Sequence, residues 1–177
     1  QMTVYRTLNE SEIIPALFLH FERKQLVQKV LRRSKNGWTS VDAPFIDDWS
    51  AEEYAFLCEC LQNTARTGGL VLGAFSDGRL KGFSSVEPEP LGSRGQYLDL
   101  SCIHVSADMR GAGIGRRLFA EAKRWAKAHG AQKLYISSHS AVETQAFYSA
   151  MGCVDAEEPI AAHVEREPYD RQLECLL

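Results

Sequence analysis

Apolar positions along this chain follow two periods, and each predicts a different element. Residues 3–8 alternate and read as a short strand. From Ser11, the residues Ile14, Leu17, Phe18 and Phe21 share one helical face. Leu26, Val30 and Leu31 continue it, so the spacing predicts a long or kinked helix ended at Asn36-Gly37. Residues 38–49, rich in aromatic and acidic side chains, read as a loop. Ser50 and Glu53 then form a capping box for a second helix, whose face is Tyr54, Leu57, Cys58 and Leu61. Strands at 70–75 and 80–86 flank Ser76-Asp77-Gly78, a hairpin signal. A loop at 88–95 leads to a long strand at 96–105. There Leu98, Leu100 and Cys102 alternate and Ile103 and Val105 fall out of phase, which predicts a bulge.

The second half alternates between the two periods. A helix follows the turn at 110–115 and runs to about His129, burying Ile114, Leu118, Ala122 and Trp125, with Gly130 as its C-cap. A strand at 133–137, a helix at 141–151 stopped by Gly152, and two short strands at 160–164 and 171–177 complete the pattern. Helices, a meander and then β-α-β-α-β fit one α+β domain, expected over residues 2–177 with Gln1 ahead of the start at Met2. A chain of 177 residues suits one core.

Charge narrows the partners. Twenty basic against 23 acidic residues leave a net charge of -3, so nucleic acid is not an expected partner. No apolar run nears the ~20 residues that span a bilayer, and no leader pattern follows Met2, so no membrane partner is expected either. The five cysteines are scattered without a Cys-x-x-Cys pair, which argues against a metal site or a disulfide framework. Buried thiols in a reducing cytoplasm are the expectation, in a monomer or homodimer.

The turn Arg110-Gly111-Ala112-Gly113-Ile114-Gly115 lies between a strand and a helix. Glycines there let a ligand approach the backbone, and the free amides of a helix's first turn attract phosphate oxygens. Arg116 and Arg117 add positive charge. The Lys-Ser/Thr of a Walker loop is absent, and the spacing of Gly111, Gly113 and Gly115 does not match a dinucleotide fingerprint. A tight turn without a ligand remains the plain alternative.

The pattern Val105 … Arg110-Gly111-Ala112-Gly113-Ile114-Gly115 … Leu118 resembles the coenzyme A signature of the GNAT superfamily of N-acetyltransferases. A second block, Ala146-Phe147-Tyr148-Ser149-Ala150-Met151-Gly152, is similar to the family's Phe-Tyr-x-x-x-Gly segment and follows Gly115 by the expected helix-strand-helix distance. The chain departs from the family pattern at Ala141, where Asn is frequent, and at Cys153, where an aromatic is frequent. The resemblance implies a mixed, mainly antiparallel sheet of about six to seven strands, flanked by helices and splayed at a bulge in the central strand. It implies acetyl-CoA as co-substrate, no metal, and direct transfer of acetyl to a primary amine of a small molecule or peptide. The alternative is a coenzyme A-binding sensor or interaction module of the same fold without catalysis.

The resemblance also implies a site. Ile103, His104 and Val105 would pair with the pantetheine arm through their backbones. Residues 110–116 would hold the pyrophosphate, and Phe147 and Tyr148 would flank the arm. Tyr148 would protonate the departing thiolate, since a phenol of pKa ~10 is a donor at neutral pH. Asp99 is the candidate base, on the strand leading to the bulge, with His104 and Glu87 behind it. A roof carrying Trp38, Phe45, Asp47, Asp48 and Trp49 would receive the acceptor, carboxylates and aromatic faces suiting a cation. Glu87, and the tail residues Glu165, Glu167, Tyr169 and Asp170, could contribute to it.

Overall fold

The structure, a computed structural model, describes residues 2–177 and every side chain among them except those of Ile46 and Asp47. In chain order the elements are β1 (Val4–Thr7), β2 (Gln25–Ser34), β3 (Gly37–Asp47), α1 (Ala51–Arg66), β4 (Leu70–Ser76), β5 (Arg79–Val86) and β6 (Tyr97–Val105). They continue with α2 (Ile114–Ala128), β7 (Lys133–Ser138), α3 (Val142–Ala150), β8 (Val154–Asp155), α4 (Ala161–Arg166) and β9 (Arg171–Leu176). Seven strands form one sheet in the order β1-β4-β5-β6-β7-β9-β8, antiparallel except for the β6–β7 pair. The remaining two, β2 and β3, form a separate two-stranded ribbon.

Alternation along the strands sorts the core onto two faces. Leu70, Leu72, Leu98 and Leu100 face α2 and α3, meeting Leu118, Phe119 and Ala122. Val71, Leu80 and Phe83 face the other way, against α1 and the 3-10 turns before β2, meeting Leu57, Leu61, Phe18 and Phe21. The α1 capping box forms as the sequence predicts, with Ser50 Oγ accepting from Glu53 N at 3.2 Å. Helix α2 sits close on β5 because Gly82 has no side chain: a Cβ there would stand 2.7 Å from Ile114 Cγ2. Leu118, fully buried in that contact, sets its stability. Leu118→Ala is expected to cost about 2–5 kcal/mol, seen as a lower urea midpoint with an unchanged m-value.

Three expectations are corrected. The segment from Ser11 is not a helix: it makes 3-10 turns at Glu10–Glu12 and Pro15–Phe18 and then strand β2. The loop expected at 38–49 is strand β3, and Asn36-Gly37 belongs to the hairpin turn between them. A register shift explains the misreading. Val27 pairs with Phe45 but Lys29 with Asp42, so a bulge turns Val27 and Val30, three residues apart, into the same interior. That spacing imitates a helical face. The strand expected at 160–164 is instead the short helix α4, and β8 was not foreseen.

The expected bulge in β6 is present. Ser85 pairs with Cys102 and Val86 with Leu100, which leaves Ser101 as the extra residue. On its other side β6 pairs with β7 only from Tyr97 to Asp99. Beyond the bulge β6 keeps to β5 while β7 keeps to β9, and a wedge opens between them.

Candidate active site

Two cavities meet at the wedge. The larger, of about 610 Å³, runs from the open part of β6 to the glycine-rich turn. It is lined by Ile103, His104, Val105, Arg110, Gly111, Gly113, Ile114, Gly115, Arg116, Phe147 and Tyr148. Every residue that the resemblance assigned to the coenzyme is therefore in one cleft except Ala112, which is exposed in the turn.

The turn is shaped for an anion. Gly111 and Gly113 both hold φ +82°, a left-handed conformation that suits glycine. A Cβ at either position would meet no atom within 4 Å, so the space in front of the backbone is open. Gly113 is the N-cap of α2, and no side chain caps that helix, which leaves its first-turn amides to bind a ligand. Gly115 packs under α3, where a Cβ would stand 3.1 Å from the Phe147 ring.

Sequence reasoning missed a second contributor of positive charge. Arg23, Lys24, Gln25 and Leu26 also line this cleft. They are carried there by a clasp between two loops. Ser106 Oγ accepts from Glu22 N at 2.9 Å, Ala107 N donates to Glu22 O at 2.7 Å, and Lys81 Nζ reaches both His20 O and Asp108 Oδ2 at 2.8 Å. Lys81 and Ser106 hold the Asp108 carboxyl below its usual range. Burial and the neighbouring Arg23 lower the Arg110 pKa. The Arg23-Lys24 pair was visible in the sequence, but the apparent helix there hid its place at the start of a strand.

The smaller cavity, of about 340 Å³, opens on the other side of Tyr148. Trp49, Ser101, Cys102, Ser137, His139, Glu167 and Asp170 are among its lining residues. Arg23, Gln25, Ile103, His104, Thr144 and Tyr148 line both cavities. Burial, then the neighbouring Cys153, Cys102, Asp170 and Asp99, push the Tyr148 phenol up, so it stays protonated across the neutral range. Burial followed by Arg23 and Arg110 pushes His104 down to about 3. Its ring packs against Trp49 and Phe83 as a neutral imidazole.

The remaining sequence candidates fall elsewhere. Asp99 is buried, with Oδ2 3.2 Å from His163 Nε2, and lines neither cavity. Trp38 is flanked by the guanidinium groups of Arg33 and Arg171. Asp48 accepts from Trp49 N at 2.8 Å, and the Asp47 side chain lies outside the described residues. Glu87 is held by the hydroxyls of Thr64 and Ser101. Ala141, the departure from the family pattern, is buried under Val27 and Val30, where the β2–β3 hairpin docks. Among the described residues no group of three or more His, Cys, Asp or Glu is placed to hold a metal ion, and no helix is long and apolar enough to cross a membrane.

Residues 25–153 match the model of the Acetyltransferase (GNAT) family. No curated protein sequence matches the chain significantly. Among solved structures, nourseothricin acetyltransferase is similar at 20% identity and TM-score 0.64, over 98% of this chain and 96% of that one. A Bacillus anthracis protein with the provisional name streptothricin acetyltransferase, solved with acetyl coenzyme A, is similar at 18% identity and TM-score 0.69, again over 98% and 96%. PaiA N-acetyltransferase from Thermoplasma acidophilum, solved with coenzyme A, is similar at 14% identity and TM-score 0.63 over the whole of both chains. At these identities the likeness is one of fold.

Proposed function

Because the chain belongs to the GNAT family of acetyltransferases, we propose that residues 2–177 act as one domain that moves acetyl from acetyl-CoA to a primary amine by direct attack in a ternary complex. Tyr148 carries this reading: it stands where the two cavities meet, one shaped for a phosphate-bearing thioester and the other rimmed by acids. Acetyl-CoA fits the larger cavity, with its pyrophosphate at Gly111, Gly113 and the first turn of α2, and its arm along Ile103–Val105. It supplies an activated acetyl thioester. The chain's residues do the rest: the open edge of β6 orients the arm, and Tyr148 donates the proton that the thiolate needs on leaving.

The acceptor is a small molecule or peptide whose amine enters through the smaller cavity. Glu167 and Asp170 suit a cationic amine, and two of the similar structures are named for acetylation of nourseothricin and streptothricin. Five free cysteines fit a reducing cytoplasm.

The test is thiol release from acetyl-CoA against a panel of polyamines, antibiotic amines, amino acids and peptide amines. At least one cationic amine is expected to raise release tenfold or more over buffer, with acidic amines inert. A melting shift with acetyl-CoA and no release with any amine would instead indicate a binding module.

A further inference from the structure

The geometry points to Asp170 as the general base of the transfer, in place of Asp99. This rests on the acetyltransferase reading. Asp170 lines the acceptor cavity together with Tyr148, whereas Asp99 lines neither cavity and has Oδ2 engaged by His163.

A one-way hydrogen-bond chain fixes the Asp170 carboxylate. Ile160 N donates to Tyr135 Oη at 2.9 Å, and that hydroxyl donates to Gln172 Oε1. The amide nitrogen of Gln172 donates to Ser137 Oγ at 3.1 Å, and Ser137 then donates to Asp170 Oδ2, also at 3.1 Å. Each hydroxyl's proton is committed forward, so Asp170 ends the chain as a pure acceptor. Its Oδ1 carries no hydrogen bond among the described residues. The register of β7 on β9 builds this device, since Ser137 opposes Gln172 and Ser138 opposes Arg171, one residue past Asp170.

The groups around Asp170 suit a proton acceptor. Burial raises its pKa above the usual carboxylate range and Glu167 adds to the rise, while Ser137, His139 and His163 oppose it. A base that titrates closer to neutrality takes a proton more readily than an ordinary aspartate. The amine enters the step neutral, its ammonium proton having passed to solvent; its nitrogen forms a bond to the thioester carbonyl carbon and the carbon–sulfur bond breaks. Asp170 takes the proton that the nitrogen sheds, and Tyr148 gives its phenolic proton to the sulfur. One proton then passes from the Asp170 carboxyl to the Tyr148 phenolate, which restores both groups and releases amide and thiol.

The experiment uses the full chain with acetyl-CoA and 1,4-diaminobutane, or the fastest amine of the panel if that differs, at saturation. Wild-type kcat is expected to rise with pH along a limb lying above the ordinary aspartate range. Asp170→Asn should lower kcat by about 10²-fold and erase the limb. Asp170→Glu should keep the limb and much of the rate. Both variants should retain the melting shift with acetyl-CoA, which separates loss of the base from loss of the fold. A D170N enzyme with only a raised amine KM, or a limb erased by Asp99→Asn and kept in D170N, overturns the assignment. A wild-type protein that releases no thiol with any amine overturns the acetyltransferase reading, and the base with it.

Discussion

Replacing Tyr148 by Phe is expected to lower kcat by about 10²–10⁴-fold while leaving acetyl-CoA affinity unchanged. The change deletes one oxygen from a ring that is buried against Phe119 and Phe147. Packing survives, because the ring contacts belong to the carbons. Phosphate binding survives too, because it is assigned to residues 110–116 and the start of α2. What disappears is a phenolic proton that burial keeps in place through the neutral range. It matters only while the sulfur gains charge, so the loss falls on kcat. Slow product release would mask part of it, and single-turnover kinetics remove the mask. An unchanged single-turnover rate across pH would make Tyr148 a packing residue.

Gly113→Asp is expected to abolish acetyl-CoA binding in a protein that still folds, a second large effect. Wild-type protein at ~100 times Kd gains about 2.7 kcal/mol from a ligand that binds only the folded state. The variant should show no shift. The left-handed φ of +82° is one that aspartate tolerates better than most residues, and a Cβ there meets open space. The new carboxylate stands at the N-cap of α2, where its charge opposes a pyrophosphate approaching the first-turn amides. The left-handed strain, at most about 1–2 kcal/mol, should lower the melting point of the unliganded variant modestly while it still folds, and the ligand response should vanish. Gly113→Asn, of the same size and neutral, should keep part of the response and so separate charge from bulk. A full acetyl-CoA shift in G113D would remove the pyrophosphate from this turn.

The legible parts of the chain were those in which local pattern and long-range pairing agree. Turn glycines, the α1 capping box and the out-of-phase run at Ile103 each carry their meaning within a few residues, and α1, α2, α3 and the β6 bulge follow from them. The β2–β3 hairpin was misread because a bulge placed Val27 and Val30 on one side at helical spacing. The same error hid Arg23 and left residues 38–47, most of strand β3, read as a loop. Asp170 was expected only as a contributor to the acceptor site, and its place at the end of a hydrogen-bond chain had no local signal. Its partners, Ser137 and Gln172, meet only through the pairing of β7 with β9, and a strand register across 30 or more residues is not written in any short window.

The short β6–β7 pairing has a mechanical consequence. Four strands of the sheet lie on one side of this seam and three on the other, yet of β6 only Tyr97, Leu98 and Asp99 hold strand partners in β7, with the Tyr97–Glu174–Lys133 cluster bracing one end. The molecule is thus two half-sheets joined like the legs of a clothes-peg, open at the catalytic end. An extended ligand that pairs with the free edge of β6 supplies the missing rungs and rivets the legs together. If the coenzyme arm pairs there as proposed, each turnover would insert a structural tie and withdraw it, making the protein stiffest while loaded and loosest in the instant after product departs.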